Sequence, residues 1–133
     1  MTTLRNNAAF GAIACGASGI PIALAITFAA PWDNFSSSEI VSAFFGVAIF
    51  TVGISGSFGL TYGIIIYLIL AKFGLANVLS LAGFGAVGGI GFLWVWNDPR
   101  DVGENLVLFG TAGAWAGAAF WYGAERWQRG GIG

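Results

Sequence analysis

The sequence predicts an all-α integral membrane protein: a four-helix bundle with a long, bent second helix and both termini cytoplasmic. Its composition is the first reason. Of 133 residues, 57% are hydrophobic and only 8% are charged, with a mean hydropathy of +0.82, whereas soluble domains carry about a quarter charged residues. Five basic and six acidic side chains could not clothe the surface of a soluble domain this size. The second reason is spacing. Four apolar runs, at residues 8–30, 40–71, 75–96 and 105–122, are each long enough to cross a hydrocarbon core of about 30 Å as a helix. The third is punctuation, because brief polar connections with helix-start and helix-stop residues separate the runs. One domain, residues 1–133, holds all four.

The first run resembles a secretory leader, with Arg5 ahead of it and Ala23-Leu24-Ala25 inside it. It extends beyond the usual apolar core of about 7–15 residues, so a retained span is expected. Pro21 near its middle has no N–H to give and crowds the carbonyl of Ala17, which predicts a kink. Ser18 stands close enough to satisfy a freed carbonyl. Gly11, Cys15 and Gly19 recur every four residues and form a groove for another helix.

The connection PWDNFSSSE follows. Ser36 with Glu39 three residues on is a capping box, each side chain taking an orphan backbone N–H of the second helix. That second run, ending at Lys72, would span about 48 Å as a straight helix, well past the membrane core. Splitting it leaves two halves too short to cross. A strongly tilted helix, a projecting end or a helix bent around GISGSFG at residues 53–59 remain, and the bent one is expected because helices in lipid yield at such glycines and serines, with Lys72 snorkelling to the interface and Gly74 as its cap. Run three is glycine-rich and closes on WVW. Asp101 and Glu104 repeat the capping arrangement before run four, and ERWQRGGIG leaves the membrane.

Lysine and arginine set the orientation. Arg5, Lys72, Arg126 and Arg129 fall on one side and Arg100 alone on the other, which makes the four-residue side cytoplasmic. The expected location is the bacterial inner membrane, crossed several times.

Chemistry is constrained by what is missing. There is no histidine, and no acid or base lies within any run between its ends. Such groups mark proton relays and ion coupling, so a proton-coupled exporter is disfavoured. No serine has a base to activate it, and zinc would lack ligands. Neither catalysis, nor a cofactor, nor a metal is expected. A net charge of −1 without a basic patch excludes nucleic acid as a partner. Cys15, the one cysteine, reads as a small packing residue.

Two sets of residues stand out. Gly59 with Gly63, Gly85 with Gly89, and Gly113 with Gly117 are small-xxx-small pairs that let helix backbones approach, within the bundle or against a partner. Thr51, Ser55, Ser57, Thr61 and Tyr62 give run two a series of hydroxyls. These either line a polar path or bond back to carbonyls one turn earlier, the latter being the commoner use. Trp115, mid-span among small residues, reads as a knob filling the groove of a glycine-rich neighbour, the favoured reading, or as one wall of a lipid or cofactor pocket. Asp98, Asp101 and Glu104 around Arg100 read as a solvated turn.

Gly56-Ser57-Phe58 resembles part of the second helix of the fluoride-channel family, but the first span has no arginine and no Asn precedes the motif. Gly63 to Gly74 (GIIIYLILAKFG), the glycine-rich third span and Phe120-Trp121 before the last arginines resemble a loose class of small uncharacterised four-helix bacterial inner-membrane proteins. That resemblance implies fold and compartment only. The leading expectation is a non-enzymatic module acting through helix–helix interaction: an accessory subunit, assembly factor or immunity-type protein. Its partners would be the lipid bilayer and a larger membrane protein, or itself as a homo-oligomer. The alternative is an oligomeric channel or facilitator for a small neutral solute.

Overall fold

The computed structural model describes residues 2–96 and 102–126. They form α1 (Thr2–Ala17), α2 (Gly19–Ala29), α3 (Ser37–Phe58), α4 (Ile64–Lys72), α5 (Val78–Trp96) and α6 (Val102–Trp121), with no strand among them. A π-helical turn at Gly59–Gly63 joins α3 to α4, and a second at Tyr122–Arg126 extends α6. The elements assemble into four rods. Three of these, Arg5–Ala29, Ser37–Lys72 and Val78–Val95, are long and apolar enough to cross a membrane. The fourth expected span, α6, is not among these three; its first turn carries Glu104 and Asn105, and much of the remainder is Gly and Ala.

The break in the first rod falls at Ser18, three residues before Pro21. Pro21 leaves the Ala17 carbonyl without its helical donor, while the Ser18 hydroxyl donates to the Cys15 carbonyl at 2.6 Å. Past α2, the Trp32 indole N–H donates back to the Thr27 carbonyl and meets Phe35 edge-on, with ring centroids 5.3 Å apart. The chain is thereby turned over into α3. At the start of α3, the Glu39 carboxylate accepts the Ser36 backbone N–H at 2.8 Å and the Ser36 hydroxyl at 2.6 Å. These bonds hold the exposed Glu39 carboxyl below its usual range, the hydroxyl bond having the larger effect.

The second rod is 36 residues long, about 54 Å as a continuous helix. The α ladder runs unbroken through the expected hinge at residues 53–58 and gives way only at Gly59. There the Ile64 N–H reaches the Gly59 carbonyl five residues back. Packing explains the position. Gly53 has no atom within 4 Å of where a Cβ would sit, whereas Gly59 lies against Cys15 and Gly63 against Phe120, so the ladder shifts where neighbouring helices press on it. Gly74 ends the rod with φ +70°, a backbone conformation that glycine adopts without Cβ strain. Leu75 N–H bonds to Leu70 O at 2.8 Å and Gly74 N–H to Ala71 O at 3.1 Å, the paired bonds of a Schellman cap.

The third rod begins at Val78 rather than at residue 75. Asn77 is its cap, its side-chain oxygen accepting the Ser80 N–H at 2.9 Å. The Asp98, Asp101 and Glu104 turn lies outside the described residues or side chains. The buried core gathers where α1, α4 and α6 meet, around Tyr67, Phe120, Cys15 and Leu70. The Tyr67 and Phe120 rings stand 5.7 Å apart, within contact range for an aromatic pair.

Candidate functional site: the glycine junction

Lipid tails are as apolar as the helices, so close van der Waals contact rather than hydrophobicity drives association of helices in a bilayer. The glycines supply that contact. α5 and α6 run antiparallel, and a Cβ on Gly85 would collide with the Gly113 carbonyl, one on Gly113 with the Gly85 carbonyl. Gly89 meets the Phe109 carbonyl in the same way, and Gly117 meets that of Leu81. Each glycine thus aims a Cα hydrogen at a carbonyl on the facing helix, a weak but repeated attraction. Gly59 and Gly63 serve a different contact. A Cβ on Gly59 would stand 2.8 Å from the Cys15 Cβ, and one on Gly63 would stand 2.9 Å from the Phe120 ring.

The groove of α1 is filled residue by residue. Gly11 receives the Phe120 ring, whose nearest carbon would be 2.6 Å from an added Cβ. Cys15 packs on Gly59 and donates its thiol hydrogen to the Ser55 carbonyl at 3.2 Å. Gly19 lies against the Thr51–Val52 peptide, 2.7 Å from an added Cβ. The void left at the centre, beside Cys15, Tyr62 and Phe120, is about 30 Å³, the volume of about one water, and its lining is apolar.

The five hydroxyl residues of the second rod do not share one face. The Thr51 hydroxyl lies 2.9 Å from both the Gly19 and the Val47 carbonyls, stitching α3 to α2. Thr61 donates to Ser57 O at 2.8 Å from an exposed position. Tyr62 turns the other way and donates to Phe84 O on α5 at 3.1 Å. Ser55 is half-buried and Ser57 exposed. Trp115 does not fill the glycine groove: it is 53% exposed, because α5 and α6 already touch backbone to backbone and leave no room for an indole.

One feature of the junction escaped the sequence reading. Tyr67 is 1% exposed, and its hydroxyl donates to the Glu125 carboxylate at 2.7 Å across 58 residues. Glu125 stands in the second π-helical turn, which carries the chain past residue 122, and Gly123 in that turn packs on the Phe10 carbonyl, 2.5 Å from an added Cβ. Only the pairing of a mid-helix tyrosine with an acidic residue just past the last run hinted at this contact. Among the described residues, no three His, Cys, Asp or Glu side chains converge in a way that would hold a metal.

No protein-family model, curated protein or solved structure matches this chain.

Proposed function

We propose that the chain is a non-enzymatic, multi-pass protein of the bacterial inner membrane that acts by docking its second rod against helices of a larger membrane protein. The observation that carries this reading is the one-sided packing of α3. Its half-buried residues, Ile40, Phe44, Val47, Thr51 and Ser55 among them, fall on the face turned to α1 and α2. Away from that face lie Ser42, Gly46, Gly53 and Ser57, all exposed, and nothing approaches within 4 Å of a Cβ at Gly46 or Gly53. Gly16, Gly19 and Gly59 stand against neighbouring helices, whereas Gly46 and Gly53 stand open, as Gly83 and Gly91 do on α5.

Affinity capture in mild detergent tests the reading. Wild type should retain a stoichiometric larger membrane protein, and the double variant Gly46→Leu/Gly53→Leu should lose it while melting as wild type does. Repeated isolation of a homo-oligomer with no other chain would overturn it. The facilitator alternative draws less support, since the hydroxyls of Thr51, Thr61 and Tyr62 are committed to carbonyls. Cytoplasmic termini follow from the four-to-one division of basic residues. A phosphatase reporter fused after Gly133 should be inactive, and activity there would reverse the orientation.

A further inference from the structure

The break in the first rod and the π-helical turn in the second stand level with each other. Cys15, whose carbonyl takes the Ser18 hydroxyl, packs on Gly59, the first residue of the turn. Gly16 faces Gly56, and Gly19 lies against the Thr51–Val52 peptide. Both rods therefore depart from regular α geometry at one height. Pro21 leaves the Ala17 carbonyl without its helical donor in the first, and a π turn, frequent at bends and at functional sites, interrupts the second.

The two sides of that level are held differently. Beyond it, α2 and α3 pack on each other. The buried residues of α2 are Gly19, Ala23 and Thr27, a single stripe turned to α3, and the Thr51 hydroxyl bonds the Gly19 carbonyl across the pair. α3 buries no residue fully. Among the described residues, neither helix makes more than stray approaches to α5 or α6 until the Phe58 ring, at the end of α3, reaches Gly88. On the other side the body is closed, with Phe120 against Gly11 and Gly63 and Tyr67 bonded to Glu125. Where α3 crosses α1, a Cβ on Gly16 would lie 3.4 Å from the Gly56 Cα, whereas one on Gly85 would lie 2.2 Å from the Gly113 carbonyl. Neither Gly16 nor Gly56 has a side chain to key one rod into the other. The Cys15 thiol bonds the Ser55 carbonyl across this crossing at 3.2 Å, and a thiol is a weak donor.

We propose that α2 and α3 form an arm that pivots as one unit on the body made by α1, α4, α5 and α6, with residues 18–21 and the turn at Gly59–Gly63 as paired hinges. Hinges of this kind are a few element-terminal residues that absorb the change in backbone angles. Because Gly19 and Thr51 tie α2 to α3, one rod bends only with the other. The arm carries the open face of α3, so its angle sets where that face is presented; the pivot itself requires no partner.

Double electron–electron resonance between pairs of spin labels, on the full chain in lipid nanodiscs, tests the pivot. Every sample carries Cys15→Ser, which keeps a hydroxyl donor for the Ser55 carbonyl. Ser42→Cys with Val95→Cys spans arm and body, Leu24→Cys with Phe45→Cys lies within the arm, and Val95→Cys with Val107→Cys lies within the body; all five positions are exposed. The spanning pair should give a broader distance distribution than either internal pair. Pro21→Ala, which restores a donor for the Ala17 carbonyl, should narrow the spanning distribution and leave the internal ones unchanged, showing that the fold is intact. A spanning distribution as narrow as the internal ones would overturn the proposal, as would one that Pro21→Ala leaves equally broad. Equal breadth within the arm would mean that α2 and α3 come apart instead of pivoting together, and would overturn it too.

Discussion

Gly85 and Gly113 each offer the other a carbonyl at the one place where neither has a side chain. Any larger residue there must push the two helices apart along their whole length. Gly113→Leu or Gly85→Leu is expected to destabilise the bundle by roughly 1–3 kcal/mol, the usual cost of overpacking, read as a lowered melting temperature in detergent. Gly46→Leu, at a position with open space, is the internal control and should melt as wild type does. Tyr67 makes a different kind of contact. Tyr67→Phe removes one donor to the Glu125 carboxylate, and a bond to a charged acceptor contributes about 1.5–3 kcal/mol. The loss should appear in the same melting assay. These contacts set the limits of what residues alone disclose. The small-xxx-small spacing marked Gly85 and Gly113 as places of close approach, but nothing local in the chain joins Tyr67 to Glu125, because the pairing exists only once two rods stand side by side.

At the scale of elements, the ends of helices were legible and their interiors were not. Ser36 with Glu39, and Gly74 after Lys72, are caps whose chemistry is complete within a few residues, and the helix boundaries follow them. Asn77 is equally local, and it fixes the start of α5 at Val78 where hydropathy alone suggested an earlier one. The π-helical turn at Gly59–Gly63 is not local. It lies where Cys15 and Phe120 press on the second rod, so the cluster of glycines before it indicated the neighbourhood and not the residue. A π turn inside an α-helix carries an extra residue. Deleting Leu60, which is 62% exposed, should restore the α ladder and rotate α4 by about 100°, carrying Tyr67 away from Glu125. That deletion is expected to destabilise the chain far more than Leu60→Ala, a difference that melting would show directly. The cap at Ser36 carries a pH dependence. Glu39 has its carboxyl lowered by the Ser36 bonds, so its contribution is complete above about pH 4.3, the ordinary glutamate value, and is lost as pH falls through the lower folded value. Amide exchange in the first turn of α3 should accelerate on acidification below that point in wild type, and Glu39→Gln should flatten the response.

For the molecule as a whole, two kinds of helix face divide the work. Where α5 meets α6, and where α1 meets the second rod and Phe120, backbone and ring fill every space a side chain would need. Around most of α3 the surface is apolar and unfilled, with Phe45, Ile49 and Phe50 exposed, an arrangement stable only in contact with lipid or other helices. The composition and the run lengths made an all-helical chain with helices long and apolar enough to cross a membrane readable before any coordinates. Which faces were spent and which were left open depends on the order in which the rods pack, and this the periodicity of so uniformly apolar a chain does not encode. The most direct measurement is site-by-site labelling of single cysteines in intact cells, in a Cys15→Ala background, with a membrane-impermeant maleimide. Ser36→Cys and Gly103→Cys should react from outside the inner membrane, and Gly74→Cys only after the membrane is permeabilised. Reaction of all three from one side, or their equal reaction in a protein recovered without detergent, would contradict the four-rod membrane account.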